Sequence, residues 1–202
     1  TRYPGKKIVL LGHSWGGMLT SYYLRDAARR AKVVAWIDAA GATHGQTLMQ
    51  ASTDNINAEA DRRIAAGQEV KFWKETKSNL LTYPDAVNQI AYGVTEKIPE
   101  VVVKVNNSDF TINDRGYISN ATLFSEIIKT DNTPYLKQVK TPSLFLWGKY
   151  DYAVPSQQRD EVIANIGSST KKSVIFNASG HYMMFHEPQV FSKSIIDFIN
   201  GL

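Results

Sequence analysis

Cysteine is absent from all 202 residues. That absence excludes disulfides, thiolate metal ligands and cysteine nucleophiles together. No run approaches the roughly 18 apolar residues that a membrane-spanning helix needs, so the sequence carries no membrane span. Charge of one sign is also scarce. The formal net charge is +4, and the basic residues are scattered instead of forming a stripe alternating with aromatics, so nothing points to a nucleic-acid partner. The tightest basic group, Arg25, Arg29, Arg30 and Lys32, reads as the solvated end of a helix, where cations suit the dipole. Internal repeats, low-complexity tracts and Pro/Ser-rich linkers are missing as well. Composition leaves the compartment open.

What is present is an ordinary globular composition, 43% hydrophobic and 21% charged, long enough for one sizeable domain or a domain with a large insertion. The short apolar run KIVLLG (7–12) predicts a strand buried on both faces. KVVAWIDAAG (32–41), SLFLWG (143–148) and KSVIFN (172–177) repeat the pattern. A helix is expected from Trp15 or Gly16 to about Arg30, and another opens at Pro155 and Ser156 and ends at Gly167. A closing amphipathic helix places Phe191, Ile195, Ile196 and Ile199 on one side. Strands alternating with helices imply a parallel sheet covered on both faces, an α/β class.

Residues 45–135 break that rhythm. They are more polar, with helical-looking segments at 57–80, 84–92 and 119–129 and a β-branched patch at 101–105. A block of this size between two core strands reads as an inserted, mostly helical subdomain. The expected organisation is therefore core (1–44), insertion (45–135) and core again (136–202).

GHSWGG (12–17) lies between the first strand and the first helix. Gly12, Ser14 and Gly16 satisfy G-x-S-x-G, in which a sharp turn holds a serine hydroxyl above the sheet at a helix N-terminus. The flanking glycines are expected where backbone segments pass too closely for side chains. The N–H of Trp15, next after the serine, is placed to supply half of an oxyanion hole. A nucleophilic serine needs a base, and the base an orienting acid, here in the chain order Ser, acid, His. Asp151 follows SLFLWG, and His181 follows KSVIFN; both lie just past the C-terminal end of a strand, where open parallel sheets keep their sites. Asp38, at the end of VVAWID, is the alternative acid. Of the other histidines, His13 is expected to pack beside the elbow, His44 to lie at the entrance to the insertion where it can line a pocket, and His186 to serve a capping or surface role.

With those residues in place, LLGHSWGGM, FLWGKYDYAVP and SGHYMMFHEPQVFSKSIIDFI resemble the nucleophile, acid and histidine blocks of the α/β-hydrolase fold superfamily, in its cap-bearing branch and most nearly its proline iminopeptidase-like group. The resemblance implies that residues 45–135 form a cap over the site. It implies acyl transfer through an acyl-Ser14 intermediate, with no cofactor and no metal, on a small ester, amide or short peptide. Aspartate-nucleophile members are disfavoured, because Ser14 stands at the nucleophile position. The resemblance also implies further N-terminal strands and a second oxyanion donor, for which 13 residues before Ser14 leave no room. The expectation is that N-terminal strands are missing from this chain and that an N-terminal fragment or chain of the same hydrolase completes the sheet.

Carboxylesterase and aminopeptidase both remain open, as does a ligand-binding protein that keeps the fold without turnover. For an aminopeptidase, Glu59, Asp61, Glu69, Glu75 and Asp85 are the acidic candidates to hold a substrate ammonium, and Phe72 and Trp73 are aromatic candidates to face a pocket.

Overall fold

The structure is a computed structural model that describes residues 5–79 and 125–202. The strands are β1 (Ile8–His13), β2 (Val33–Ala39), β3 (Ser143–Gly148) and β4 (Lys171–Phe176), and the helices are α1 (Trp15–Tyr23), α2 (Ala27–Arg30), α3 (Gly45–Ala65), α4 (Val70–Asn79), α5 (Thr133–Leu136), α6 (Ser156–Asn165), α7 (Met183–His186) and α8 (Pro188–Asn200). A helical stretch at 125–129 leads into α5.

The four strands form one parallel sheet in the order β1-β2-β3-β4. Each crossover carries helices, as parallel neighbours require. Every residue of β3 and all but Val34 of β2 are buried, so both faces of the sheet centre are covered. Trp36 of β2 anchors one side of this core: its indole donates to Thr20 Oγ1 of α1 at 3.0 Å, and its ring meets Phe145 edge-on. The α8 side is closed by Phe191 against Phe176 and by buried Phe198. A smaller cluster of Ile56, Ala60 and Trp73 joins α3 to α4, with Tyr152 packed against it. Ser52 Oγ of α3 donates to the Tyr152 carbonyl at 2.7 Å. The paired helices α3 and α4 are thereby tied to the loop that follows β3.

Several expectations need correction. The first helix ends at Tyr23 instead of running to Arg30, because the Asp26 carboxylate accepts the Arg29 N–H and starts a separate turn. Arg25 is not a solvated helix-end charge: it stacks on the Tyr135 ring at 3.8 Å and reaches Asn132 Oδ1. In α8 the inward stripe is Phe191, Ile195 and Phe198, whereas Ile196 and Ile199 face outward. The helical signal at 57–80 is two helices, the first starting at Gly45, with Gly67 at positive φ in the break. The segments at 84–92 and 101–105, and the start of 119–129, lie outside the described residues. Strand β1 is not buried on both faces: Ile8, Val9 and Leu11 are exposed, because β1 is the edge of the described sheet and nothing described lies beyond it.

The turn from β1 to α1 sets the position of everything functional. A Cβ on Gly12 would lie 2.2 Å from the Gly16 carbonyl oxygen, and one on Gly17 would lie 2.3 Å from the Gly41 Cα. A Cβ on Gly16 meets nothing within 4 Å. The close approaches thus fall on Gly12 and Gly17, and of the two motif glycines only the first is required by space. Gly12→Ala is expected to destabilise the fold by more than about 3 kcal/mol. Gly16→Ala is expected to change it by between zero and about 1 kcal/mol, in the favourable direction of helix propensity. Thermal unfolding of the two variants decides this, and equal losses would contradict it.

Candidate functional site

Ser14 sits between β1 and α1 at φ 55 and ψ −117, a left-handed backbone that costs a residue with a side chain on the order of 1–3 kcal/mol. The surroundings hold it there. Its N–H donates to the Ala39 carbonyl of β2 at 3.0 Å, and its own carbonyl accepts from Gly17 at 2.9 Å. Trp15 opens α1, so its N–H is one of the first-turn donors that helix geometry leaves without an intrahelical acceptor.

Asp151 and His181 come from loops after β3 and β4. The two side chains are buried, and His181 Nδ1 lies 2.8 Å from Asp151 Oδ2. The other carboxylate oxygen, Oδ1, accepts the N–H groups of Ala153 at 3.0 Å and Val154 at 2.8 Å. A carboxylate accepts, so Nδ1 donates the shared hydrogen. The loops are also joined through main chain, since the Tyr150 N–H donates to the Ser179 carbonyl at 3.0 Å.

His13, beside Ser14, contributes a link that its neighbours in sequence do not advertise. Its Nε2 lies 2.8 Å from the His181 carbonyl oxygen, and the two rings are 4.6 Å apart. A carbonyl accepts, so His13 donates. Burial first, then the nearby His181, lower the His13 imidazole to about 4, which keeps it neutral and fit for this single bond. The residue before the serine thus holds the main chain of the histidine loop.

Asp38 is placed elsewhere. It is the penultimate residue of β2, in register with Gly12, is completely buried, and neither carboxylate oxygen has a hydrogen-bond partner among the described residues. His181 therefore pairs with Asp151 and not with the alternative acid. Asp38 Oδ1 occupies the space that a Cβ on Gly17 or Gly41 would need. Burial raises its carboxyl to about 8; the Gly41 N–H, nearby but outside hydrogen-bonding geometry, opposes the shift only in part. At neutral pH it is a protonated acid packed between α1 and the turn after β2.

Several of the remaining candidates are engaged in packing or ion pairs, whereas Glu69 is exposed. His44 is the residue before α3, and its Nδ1 lies 3.2 Å from Glu161 Oε1, which makes it a link between α3 and α6. Glu59 is held by Arg62 and Arg63, Asp61 by Lys77, and Glu75 faces Lys71 at 3.9 Å. Trp73 is core, whereas Phe72 is exposed; Asp85 lies outside the described residues. Among the described residues no group of three or more His, Asp and Glu is placed to hold a metal, and no helix is long and apolar enough to cross a membrane.

Residues 1–188 match the family model described as alpha/beta hydrolase fold. No curated protein matches the sequence. Among solved structures, an esterase from Exiguobacterium antarcticum superposes with a TM-score of 0.65 at 19% identity, over 96% of this chain and 67% of its own. A thermophilic esterase from Thermogutta terrifontis gives 0.60 at 18% identity, over 96% and 65%. A proline iminopeptidase from Mycobacterium smegmatis gives 0.59 at 16% identity, over 96% and 65%. The chain thus spans about two thirds of the length of these structures, and identities this low speak to the fold.

The buried Asp38 makes stability depend on pH with a definite sign. Its folded-state value of about 8 exceeds the ordinary 3.8, so the unfolded chain ionises first as pH rises. The cost is absent below about pH 4, grows by about 1.4 kcal/mol per pH unit, and levels off above about pH 8. Asp38→Asn is therefore expected to melt higher than the wild type at pH 7 to 8 and to lose that advantage near pH 4. A melting difference that is the same at both ends contradicts a neutral, buried Asp38.

Proposed function

The chain belongs to the alpha/beta hydrolase fold family, and from that premise we propose that it is a serine hydrolase cleaving an ester or amide bond, with Ser14 as nucleophile, His181 as base and Asp151 as the orienting acid. The observation that carries this reading is the buried His181–Asp151 hydrogen bond at 2.8 Å beside the strained Ser14 turn. His181 takes the Ser14 Oγ proton as Oγ bonds to the substrate carbonyl carbon, and the oxyanion is held by the Trp15 N–H. His181 then gives the proton to the leaving group as the scissile bond breaks, leaving an acyl ester on Ser14. A water molecule repeats the cycle: His181 accepts its proton, the hydroxyl adds to the acyl carbon, and the acid departs as Ser14 regains its hydrogen.

Within this reading residues 45–135 serve as a cap, with α3, α4 and residues 125–135 as its described part. The attachment of α3 to Tyr152 of the acid loop and to Glu161 of α6 supports a cap anchored on the core next to the acid. The reading also includes a partner. Ile8, Val9 and Leu11 of β1 and Leu19 and Tyr22 of α1 are exposed, and an open apolar strand edge is a liability that proteins cover. Further strands of the same hydrolase, packed against β1, fit that surface and supply the second oxyanion donor. Residues 1–202 purified alone as a soluble, cooperatively unfolding and fully active monomer would overturn this part.

Fluorophosphonate labelling tests the nucleophile. The protein is expected to label, Ser14→Ala to lose the label, and Ser14→Ala turnover of p-nitrophenyl esters to drop by about 1000-fold or more. Labelling that persists in Ser14→Ala would sink the assignment.

A further inference from the structure

The bond to Asp151 sets how the His181 ring is turned, but it does not set where the main chain of His181 lies. That main chain belongs to residues 177–182, which connect β4 to α7 without regular structure. A reacting group misplaced by about 1 Å can cost on the order of 100-fold in rate, so this loop needs anchors of its own. Backbone contacts supply some of them. The Tyr150 N–H donates to the Ser179 carbonyl at 3.0 Å, and the loop passes so close to the end of β3 that a Cβ on Gly148 would lie 2.0 Å from the Gly180 carbonyl oxygen. These contacts hold residues 179 and 180, just short of the base.

Two side chains from outside the loop extend the anchoring. Glu187, half-buried between α7 and α8, accepts the Ala178 N–H at 3.0 Å and the Ser179 hydroxyl at 2.5 Å, both on Oε2. Ser179 is completely buried, where a hydroxyl needs such a partner. The Glu187 N–H donates to the Met183 carbonyl at 3.0 Å, which fixes the acceptor to α7. His13 takes the other side. The N–H groups of Phe185 and His186 go to the Tyr182 carbonyl, and the His181 carbonyl, one residue earlier, is taken by His13 Nε2 at 2.8 Å. One peptide bond joins His13 to Ser14, so this hydrogen bond ties the residue that carries the base to the residue that carries the nucleophile. The G-x-S-x-G pattern leaves position 13 open, and the triad order asks for nothing at 187.

We propose that His13 and Glu187 are positioning residues of the reaction: they hold the His181 main chain in register with Ser14 from two sides, and they act through His181 rather than on the substrate. The proposal rests on the serine hydrolase reading for the role of His181, and not for the anchoring of its loop. The two parts are tested separately, with substitutions taken in pairs. His13→Gln keeps an amide N–H as far from the main chain as the imidazole Nε2, whereas His13→Phe keeps only a ring. Glu187→Gln keeps an acceptor oxygen, whereas Glu187→Met removes it at similar length.

In turnover of a p-nitrophenyl ester, His13→Phe and Glu187→Met are expected to lower kcat about 10- to 100-fold with KM within about threefold, and both glutamine variants to stay within about fivefold of the parent. The second readout needs no activity. The four histidines are labelled with 15N, and His13→Gln and His181→Gln assign two of the rings. At pH 7 His13 is expected as the Nε2–H tautomer, and His181 to keep a slowly exchanging Nδ1 proton that survives in both glutamine variants and exchanges with water in His13→Phe and Glu187→Met. Where a Phe or Met variant does not fold, the parent spectrum and the glutamine variants decide. An Nδ1–H tautomer at His13 overturns the proposal, as does a kcat within about twofold of the parent in His13→Phe or in Glu187→Met. Glutamine variants as slow as their Phe and Met counterparts overturn it too, because the loss then does not follow the hydrogen bond. The expected spectra without Ser14-dependent turnover uphold the anchoring and defeat the hydrolase reading.

Discussion

The Asp151 carboxylate is the interaction on which the rest of the site depends. It is buried where an isolated charge would be costly, and it persists because three donors converge on it: one imidazole N–H and two backbone N–H groups of its own loop. The backbone pair fixes the direction of the carboxylate before His181 arrives, so the imidazole is oriented by a group that is itself immobile. The loop is further braced from outside, by the Trp147 indole donating to the Val154 carbonyl at 2.8 Å and by Ser52 donating to the Tyr152 carbonyl. Strand β3, which is buried at every position, carries that bracing into the sheet.

Ser14 is held by a different economy. Its strained φ is tolerated because β2 accepts its N–H and because Gly12 and Gly17 let three backbone segments pass within contact distance. The same crowding explains Asp38. Its Oδ1 fills the space left by the missing side chains of Gly17 and Gly41 and finds no hydrogen-bond partner among the described residues, which leaves Asp38 a neutral, packed group. Two aspartates at adjacent strand ends thus have opposite environments: one accepts three hydrogen bonds, the other packs against Gly17 and Gly41 without a hydrogen-bond partner among the described residues. The environment, and not the residue type, separates their roles.

That difference also marks how far the sequence can be read. The four strands, the elbow motif and the order Ser14, Asp151, His181 are legible because they rest on local signals: apolar runs, a glycine-serine pattern, and positions just past strand ends. Asp38 and Asp151 satisfy the same local rule, and only three-dimensional contacts distinguish them. The bond from His13 to the His181 carbonyl spans 168 positions, so no spacing rule could announce it. The break after Tyr23 was signalled by Asp26, a residue type that captures nearby backbone N–H groups, but the apolar periodicity runs on past it. Ile196 shows the converse failure: its spacing places it with the inward stripe, while the face of α8 turned to the core is that of Phe191, Ile195 and Phe198, and Ile196 is exposed.

The acid loop also joins the core to the paired helices α3 and α4, through Ser52 and through Tyr152. Asp151 faces His181, whereas its neighbours Lys149 and Tyr152 face a cavity beneath α3. Glu59 accepts Arg62 through Nε and Nη2 and Arg63 through Nε, which restricts guanidinium groups that would otherwise be mobile at the surface. Glu59 itself is kept in place by its neighbours Ile56 and Ala60, whose packing against Trp73 joins α3 to α4. The charge arrangement of the cavity is therefore a consequence of how the paired helices pack.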